Sequence, residues 1–321
     1  GKREETMTEG SKLKTAIQTL GHTRALKDGS VRPQGHSFEF EEVPAIIQAF
    51  RRMVRGLEFD VSEMAVTTYF CAKAHGKPFT ALPVFLVRGF HHGAIVYNTQ
   101  LGIRGPRDLE GRKVGVNRGY TVTTGVWVRG ILQQQYGVDL GKVTWVLSGD
   151  EHVAEFQAPP NVVPIDKGKT LEQMLIAGEI AAAIGVQVDH PDIKPLIADG
   201  TELGYRMLKD SGHYPINHTL VVKDSLLAAE PQLATQLFEA FAEAKRRYLE
   251  RLRAGIAEPD KNDRMYQKVL QLTGADPLPY GIEANRAMLE TLAGYAWEQG
   301  ILKQRTPLEA LFAPGSLALA A

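Results

Sequence analysis

Apolar and polar positions alternate over residues 13–19 (LKTAIQT) and again over 37–43 (SFEFEEV), which predicts two strands. Between them, Leu20 to Arg24 reads as a turn into a short helix. Pro44 suits a helix start, and Ile46, Ile47, Phe50, Met53 and Val54 form an apolar stripe at helical spacing behind it. Residues 59–64 read as a strand, and 65–75 as a helix with Tyr69, Phe70 and Ala72 to bury. This repetition of strand and helix predicts a mostly parallel sheet.

From 80 to 98 the pattern changes. ALPVFLV and GAIVYN are two extended runs separated by Arg88-Gly89-Phe90-His91-His92. A turn then leads into a strand ending at Val116. A polar, Gly-containing loop (Asn117-Arg118-Gly119-Tyr120-Thr121) precedes a helix over 122–135. VTWVL (143–147) and AAAIG (181–185) read as short strands, with Trp127 and Trp145 as packing aromatics. YPINHTLVVK (214–223) is a further extended run. The chain after it is helical, with Pro231 at a helix start and a last long helix over 283–299. Two α/β lobes joined by two extended crossings predict a clamshell with a ligand cleft between the lobes. The expected division is 11–90 plus 220–321 for lobe I and 91–219 for lobe II. Residues 1–10 read as a tag remnant or disordered terminus.

Composition narrows the function classes. The 321 residues carry 37 Lys plus Arg against 37 Asp plus Glu, so no net field draws the chain to nucleic acid or anionic lipid. The single cysteine, Cys71, excludes an intramolecular disulfide and a cysteine-based zinc site. No apolar run approaches the roughly 20 residues of a membrane span, and residues 1–14 hold no signal-peptide core. No Walker motif is present, and no GxGxxG opens a βαβ unit, so nucleotide binding is unsupported. The expected partner is a small molecule, with homo-oligomerisation left open.

LEGRKVGV (109–116), followed by its polar loop and helix, resembles the second lobe of type II periplasmic-binding-protein folds. His22-Thr23-Arg24-Ala25-Leu26, MVRGLEFDVSEM (53–64), Asn117-Arg118-Gly119-Tyr120, YPINHT (214–219) and DPLPYGIEANR (276–286) resemble the 4,5-dihydroxyphthalate decarboxylase family within that superfamily. The resemblance implies a cytoplasmic carboxy-lyase acting on a dihydroxylated aromatic dicarboxylate. The product would be protocatechuate with loss of CO2, and no resident cofactor is implied. The alternatives are a solute-binding protein for a small aromatic or anionic ligand, or another cytoplasmic enzyme on this fold, such as one resembling thiamine-pyrimidine synthase or the menaquinone-pathway enzymes.

Removing CO2 from an aromatic ring needs a proton donor at the ipso carbon, help for the para hydroxyl, and cations for the retained carboxylate. Histidine suits the proton transfers, and arginine suits the carboxylate. His218 in the second crossing, His92 in the first, and His22 after the first strand are the expected catalytic residues. Arg24 and Arg118, each between a strand and a helix, are expected to bind substrate. So are Arg88, His91, Thr67, Thr68 and Asn217. Glu63 reads either as a base or as a structural strand-end partner. A divalent-metal site built from His91, His92, His218 and Glu63 is a further alternative, unsupported by any short ligand motif.

Overall fold

The computed structural model describes residues 12–321, so the expectation for residues 1–10 falls outside the described residues. The first part of the chain runs β1 (Lys12–Ala16), α1 (Arg24–Lys27), β2 (Ser37–Phe40), α2 (Ile46–Gly56), β3 (Val61–Ala65), α3 (Val66–Ala74) and β4 (Phe79–Arg88). The middle part contributes β5 (Ile95–Asn98), β6 (Lys113–Val116), α4 (Thr123–Tyr136), β7 (Thr144–Leu147), β8 (Val162–Pro164), α5 (Leu171–Ala177), β9 (Ala182–Ile184), β10 (Ile193–Pro195) and α6 (Gly200–Ser211). The last part is β11 (Ile216–Lys223), α7 (Asp224–Ala229), α8 (Leu233–Ala254), α9 (Lys261–Thr273) and α10 (Ile282–Glu298).

These strands form two mixed sheets, ordered β2-β1-β3-β11-β4 and β10-β5-β9-β6-β7-β8. In the first sheet β1 runs parallel to β2 and β3, while β11 runs antiparallel to β3 and β4. In the second, β9, β6, β7 and β8 are parallel, and β5 opposes both of its neighbours. The result is the α/β two-lobe clamshell that the sequence predicts, with one sheet in each lobe. Among the described residues no helix is long and apolar enough to cross a membrane.

Local departures from the expected elements have local causes. β1 stops at Ala16 because the Gln18 amide donates to the Glu63 side chain (2.9 Å) instead of continuing a ladder. Pro231 precedes its helix rather than opening it, since Gln232 is the N-cap and the Leu233 amide turns back to the Glu230 carbonyl. On α2, Ala49, Phe50, Met53 and Val54 are buried in the core, whereas Ile46 and Ile47 stay half-exposed beside a cavity. Trp127 and Trp145 are both buried, as their pattern predicts.

The final helix ties the lobes together. α10 packs on α3 and on α4. Arg129, fully buried on α4, donates from Nε to Gln299 Oε1 (2.9 Å), and the Tyr120 hydroxyl donates to the Gln299 carbonyl (2.8 Å). Arg88 at the end of β4 donates to Asn285 Oδ1 on α10 and to the Tyr214 carbonyl, both at 2.6 Å. Gly130 lets α10 approach, because a Cβ there would lie 2.0 Å from the Tyr295 ring.

Two outcomes follow from this packing. Gly130→Ala should destabilise the chain by roughly 1–3 kcal/mol, the range for overpacking a core, read as a lowered urea midpoint. Burial holds His22, His91 and His213 down at about 4. Each therefore stays neutral in the fold at pH values where the unfolded chain, near 6.5, takes up a proton. The unfolded state binds more protons throughout that window, so stability is complete above about pH 6.5 and falls toward pH 4. Each such histidine removes up to ~1.4 kcal/mol for every pH step of one within the window. Urea midpoints at pH 7, 5.5 and 4.5 should decline in that order, and a flat profile would contradict the assignment.

Candidate active site

Three neighbouring strands build the centre of the site. In the β3–β11 ladder His218 faces Ala65, and Leu220 faces Glu63. His218 and Glu63 are therefore diagonal neighbours on one sheet face, within reach of long side chains. His218 Nδ1 donates to Glu63 Oε2 at 2.6 Å. Glu63 is wholly buried and also accepts from the Gln18 backbone N (2.9 Å) and Nε2 (2.6 Å) beyond β1. Burial opposes its charge. The hydrogen bond and attraction from His218, with the two bonds from Gln18, outweigh that and hold the carboxyl below its ordinary value. Because Nδ1 is committed to the carboxylate, Nε2 is the nitrogen left for other chemistry, and it has no partner among the described residues. The His218 ring stands edge-on to Phe50 of α2, with centroids 5.0 Å apart.

His218 lines a cavity of about 230 Å³ between the lobes. One wall comes from α2 and from the start of α3, where the buried Thr68 hydroxyl has no partner among the described residues. The other comes from Arg118 and the first residues of α4, Thr123 and Thr124. Helix N-termini present free amides and a partial positive charge, so both walls suit an anion. Asn217 completes the lining. Its Oδ1 accepts from His91 Nε2 (3.0 Å), which leaves its amide NH2 for the cavity.

Arg118 is held by its backbone. Its φ is +70°, its amide donates to Ser148 Oγ (2.7 Å), and its carbonyl accepts from the Gly149 amide (3.1 Å). A non-glycine residue in this region costs roughly 1–3 kcal/mol and persists only where the surroundings enforce it. Glu151 enforces it by accepting from the Tyr120 and Thr121 amides at 2.7 and 2.9 Å. Gly119 makes room, since a Cβ there would lie 2.6 Å from that carboxylate. The Arg118 guanidinium has no hydrogen-bond or ion-pair partner among the described residues, and burial lowers its pKa.

Of the residues named from sequence, His218, Arg118, Thr68 and Asn217 meet at this cavity, and His91 reaches it through Asn217. The others are placed elsewhere. His22 contacts the Leu86 carbonyl (2.7 Å) and packs against Tyr248 and Tyr266. His92 binds Gln135 Oε1 (2.8 Å) and meets His213 edge-on. Arg88 stacks on Tyr214 and serves α10. Arg24 is exposed on α1 and lines none of the cleft cavities. Thr67 ties α3 to α4, donating to the Thr121 carbonyl (2.6 Å) and meeting Thr123 Oγ1 (2.9 Å). His91 and His92 thus face Asn217 and Gln135, and the alternative metal set with His218 and Glu63 is not assembled. Among the described residues no cluster of three or more His, Cys, Asp or Glu could hold a metal ion.

Sequence reasoning missed His152, which lines both this inner cavity and an outer one of about 260 Å³. It sits in an irregular loop after β7 that carries no periodic signal. Burial, with Arg51, Arg118 and Arg55 nearby, pushes its pKa down to about 4.

No family model matches the chain. By structure it is similar to a conserved Candida albicans gene product with the generic periplasmic-binding-protein fold (12% identity, 96% of this chain, 98% of that one, TM-score 0.55). It is also similar to the periplasmic aliphatic sulphonate binding protein SsuA from Escherichia coli (12% identity, 94% of this chain, 92% of that one, TM-score 0.52). At such identity these likenesses show the fold alone. By sequence it is 29% identical to a 4,5-dihydroxyphthalate decarboxylase of Comamonas testosteroni, over 95% of this chain and 97% of that one. It is 30% identical to a 4,5-dihydroxyphthalate decarboxylase of Pseudomonas putida, over 61% of this chain and 81% of that one. On these matches the chain belongs to the 4,5-dihydroxyphthalate decarboxylase family.

Proposed function

We propose that this chain is a carboxy-lyase that converts 4,5-dihydroxyphthalate to protocatechuate and CO2 in the cleft between its lobes. The observation that carries this reading is His218. Its Nδ1 is fixed on a buried carboxylate, and among the described residues its Nε2 is free in a cavity that also holds an unpaired arginine. Family membership supports the reaction class.

The chemistry follows from where charge must go. The hydroxyl para to the departing carboxylate releases its proton to solvent, and its electrons flow into the ring. His218, protonated on both nitrogens, delivers the Nε2 proton to the ipso carbon while Glu63 stabilises the imidazolium. The carbon–carbon bond then breaks, CO2 leaves, and the bond's electron pair restores the aromatic ring. The phenolate regains a proton, and solvent reprotonates His218, so one proton is consumed for each CO2 released. Arg118 and the start of α4 hold the retained carboxylate, and the Thr68 hydroxyl and Asn217 amide supply further donors.

The test is turnover of 4,5-dihydroxyphthalate, read as protocatechuate and CO2. His218→Asn should lower kcat by about 10²–10⁴-fold, the range for a positioned acid–base group, with little change in KM. Glu63→Gln should lower kcat in the same direction. Arg118→Ala should chiefly raise KM, by about 10- to 100-fold for the loss of one charge-assisted contact. Tight binding of the diacid by the wild-type chain with no CO2 released would refute the enzyme reading and fit a solute-binding protein.

A further inference from the structure

We propose that His152 is a specificity-determining residue whose Nε2–H hydrogen-bonds the ring oxygen para to the departing carboxylate. The proposal rests on the decarboxylase reading above. His152 Nδ1 accepts from Arg51 Nε (3.4 Å), and an arginine can only donate. The neutral ring must therefore carry its proton on Nε2, which has no partner among the described residues. Arg51 is itself anchored, donating to both carboxylate oxygens of Asp150 at 3.1 and 2.6 Å. The backbone is fixed too, because the His152 carbonyl accepts from Arg55 Nε (3.1 Å) and the ring stands edge-on to Phe50. His152 is thus a pre-set donor, held neutral by burial and three nearby arginines, and is not a base.

Position then selects the substrate atom. His218 lines only the inner cavity, whereas His152 and Arg118 stand where the inner and outer cavities meet. A ring with its ipso carbon at His218 directs the para oxygen across its own width, away from His218 and toward that junction. There the oxygen gains negative charge as it gives up its proton. A donor fixed in advance stabilises that charge without reorganising. The site should therefore favour aromatic acids with a hydroxyl para to the carboxylate that is lost.

Equilibrium binding of two stable probes tests this. Phthalate carries both carboxylates and no hydroxyl, and protocatechuate carries the hydroxyls and one carboxylate. His152→Phe keeps an edge-on ring and removes the donor. It should weaken protocatechuate by about tenfold while changing phthalate less than about twofold. His152→Gln, which restores an N–H at similar reach, should recover most of the loss. His152→Leu reads the same ratio should the Phe variant misfold. Equal weakening of both acids, or of neither, would overturn the proposal. The ratio is independent of turnover. A wild-type chain that binds both acids but releases no CO2 from 4,5-dihydroxyphthalate refutes the decarboxylase reading, and the ratio still decides the His152 contact.

Discussion

A carboxylate with no exposed surface sits at the centre of the first lobe, and the surrounding strands are arranged to satisfy it. Taking such a group out of water costs several kcal/mol, which only an opposed charge and well-aimed hydrogen bonds offset. Glu63 receives them from both flanks of its strand: Gln18 beyond β1 on one side and His218 on β11 on the other. The same three strands that set the sheet order therefore also set the tautomer of the histidine. Any shift of β11 by one residue would turn His218 to the opposite face and leave Glu63 buried beside one partner fewer. Fold and site are in this sense one constraint, because the sheet cannot form in this register without presenting His218 Nε2 to the cleft.

Around that pair the cleft is graded in charge. Its inner part holds a histidine–carboxylate pair with neutral donors, and its outer part is lined by Arg118 and Arg51, with Arg55 close enough to act on His152. The even charge balance of the whole chain hides this local field. Arginine pairing explains how the balance holds: Arg51 is matched by Asp150, and Glu151 is spent on the amides of the Arg118 loop. Among the described residues Arg118 is left with its charge uncompensated on a strained, clamped loop, which suits an anionic ligand more than a structural role.

The two-lobe fold was readable because alternation and helical spacing are local signals, and most strands carried them. The short strands β8 and β10 and the helices α5 and α6 went unread, since their apolar runs are brief and interrupted. Site residues divide by the distance to their partners. His218, Arg118, Thr68 and Asn217 stood out because each follows or occupies a strand that reaches the cleft. His22, His92 and Arg88 carry the same signal, yet the Leu86 carbonyl, Gln135 and Asn285 absorb them. Glu63 was visible as a strand-end glutamate, but its partner lies 155 residues away and no local pattern joins them. His152 lies in a loop without periodicity, and only folding brings it to Phe50 and Arg51.

The most direct test of this account is the protonation pattern of the His218 ring itself. Nitrogen-15 spectra of the histidine-labelled chain, assigned by comparison with His218→Asn, should show the neutral ring protonated on Nδ1. A far-downfield proton resonance should mark the bond to Glu63 and vanish in Glu63→Gln. A ring protonated on Nε2 instead, or a downfield resonance that survives Glu63→Gln, would contradict the claim that the buried carboxylate fixes His218 for proton transfer in the cleft.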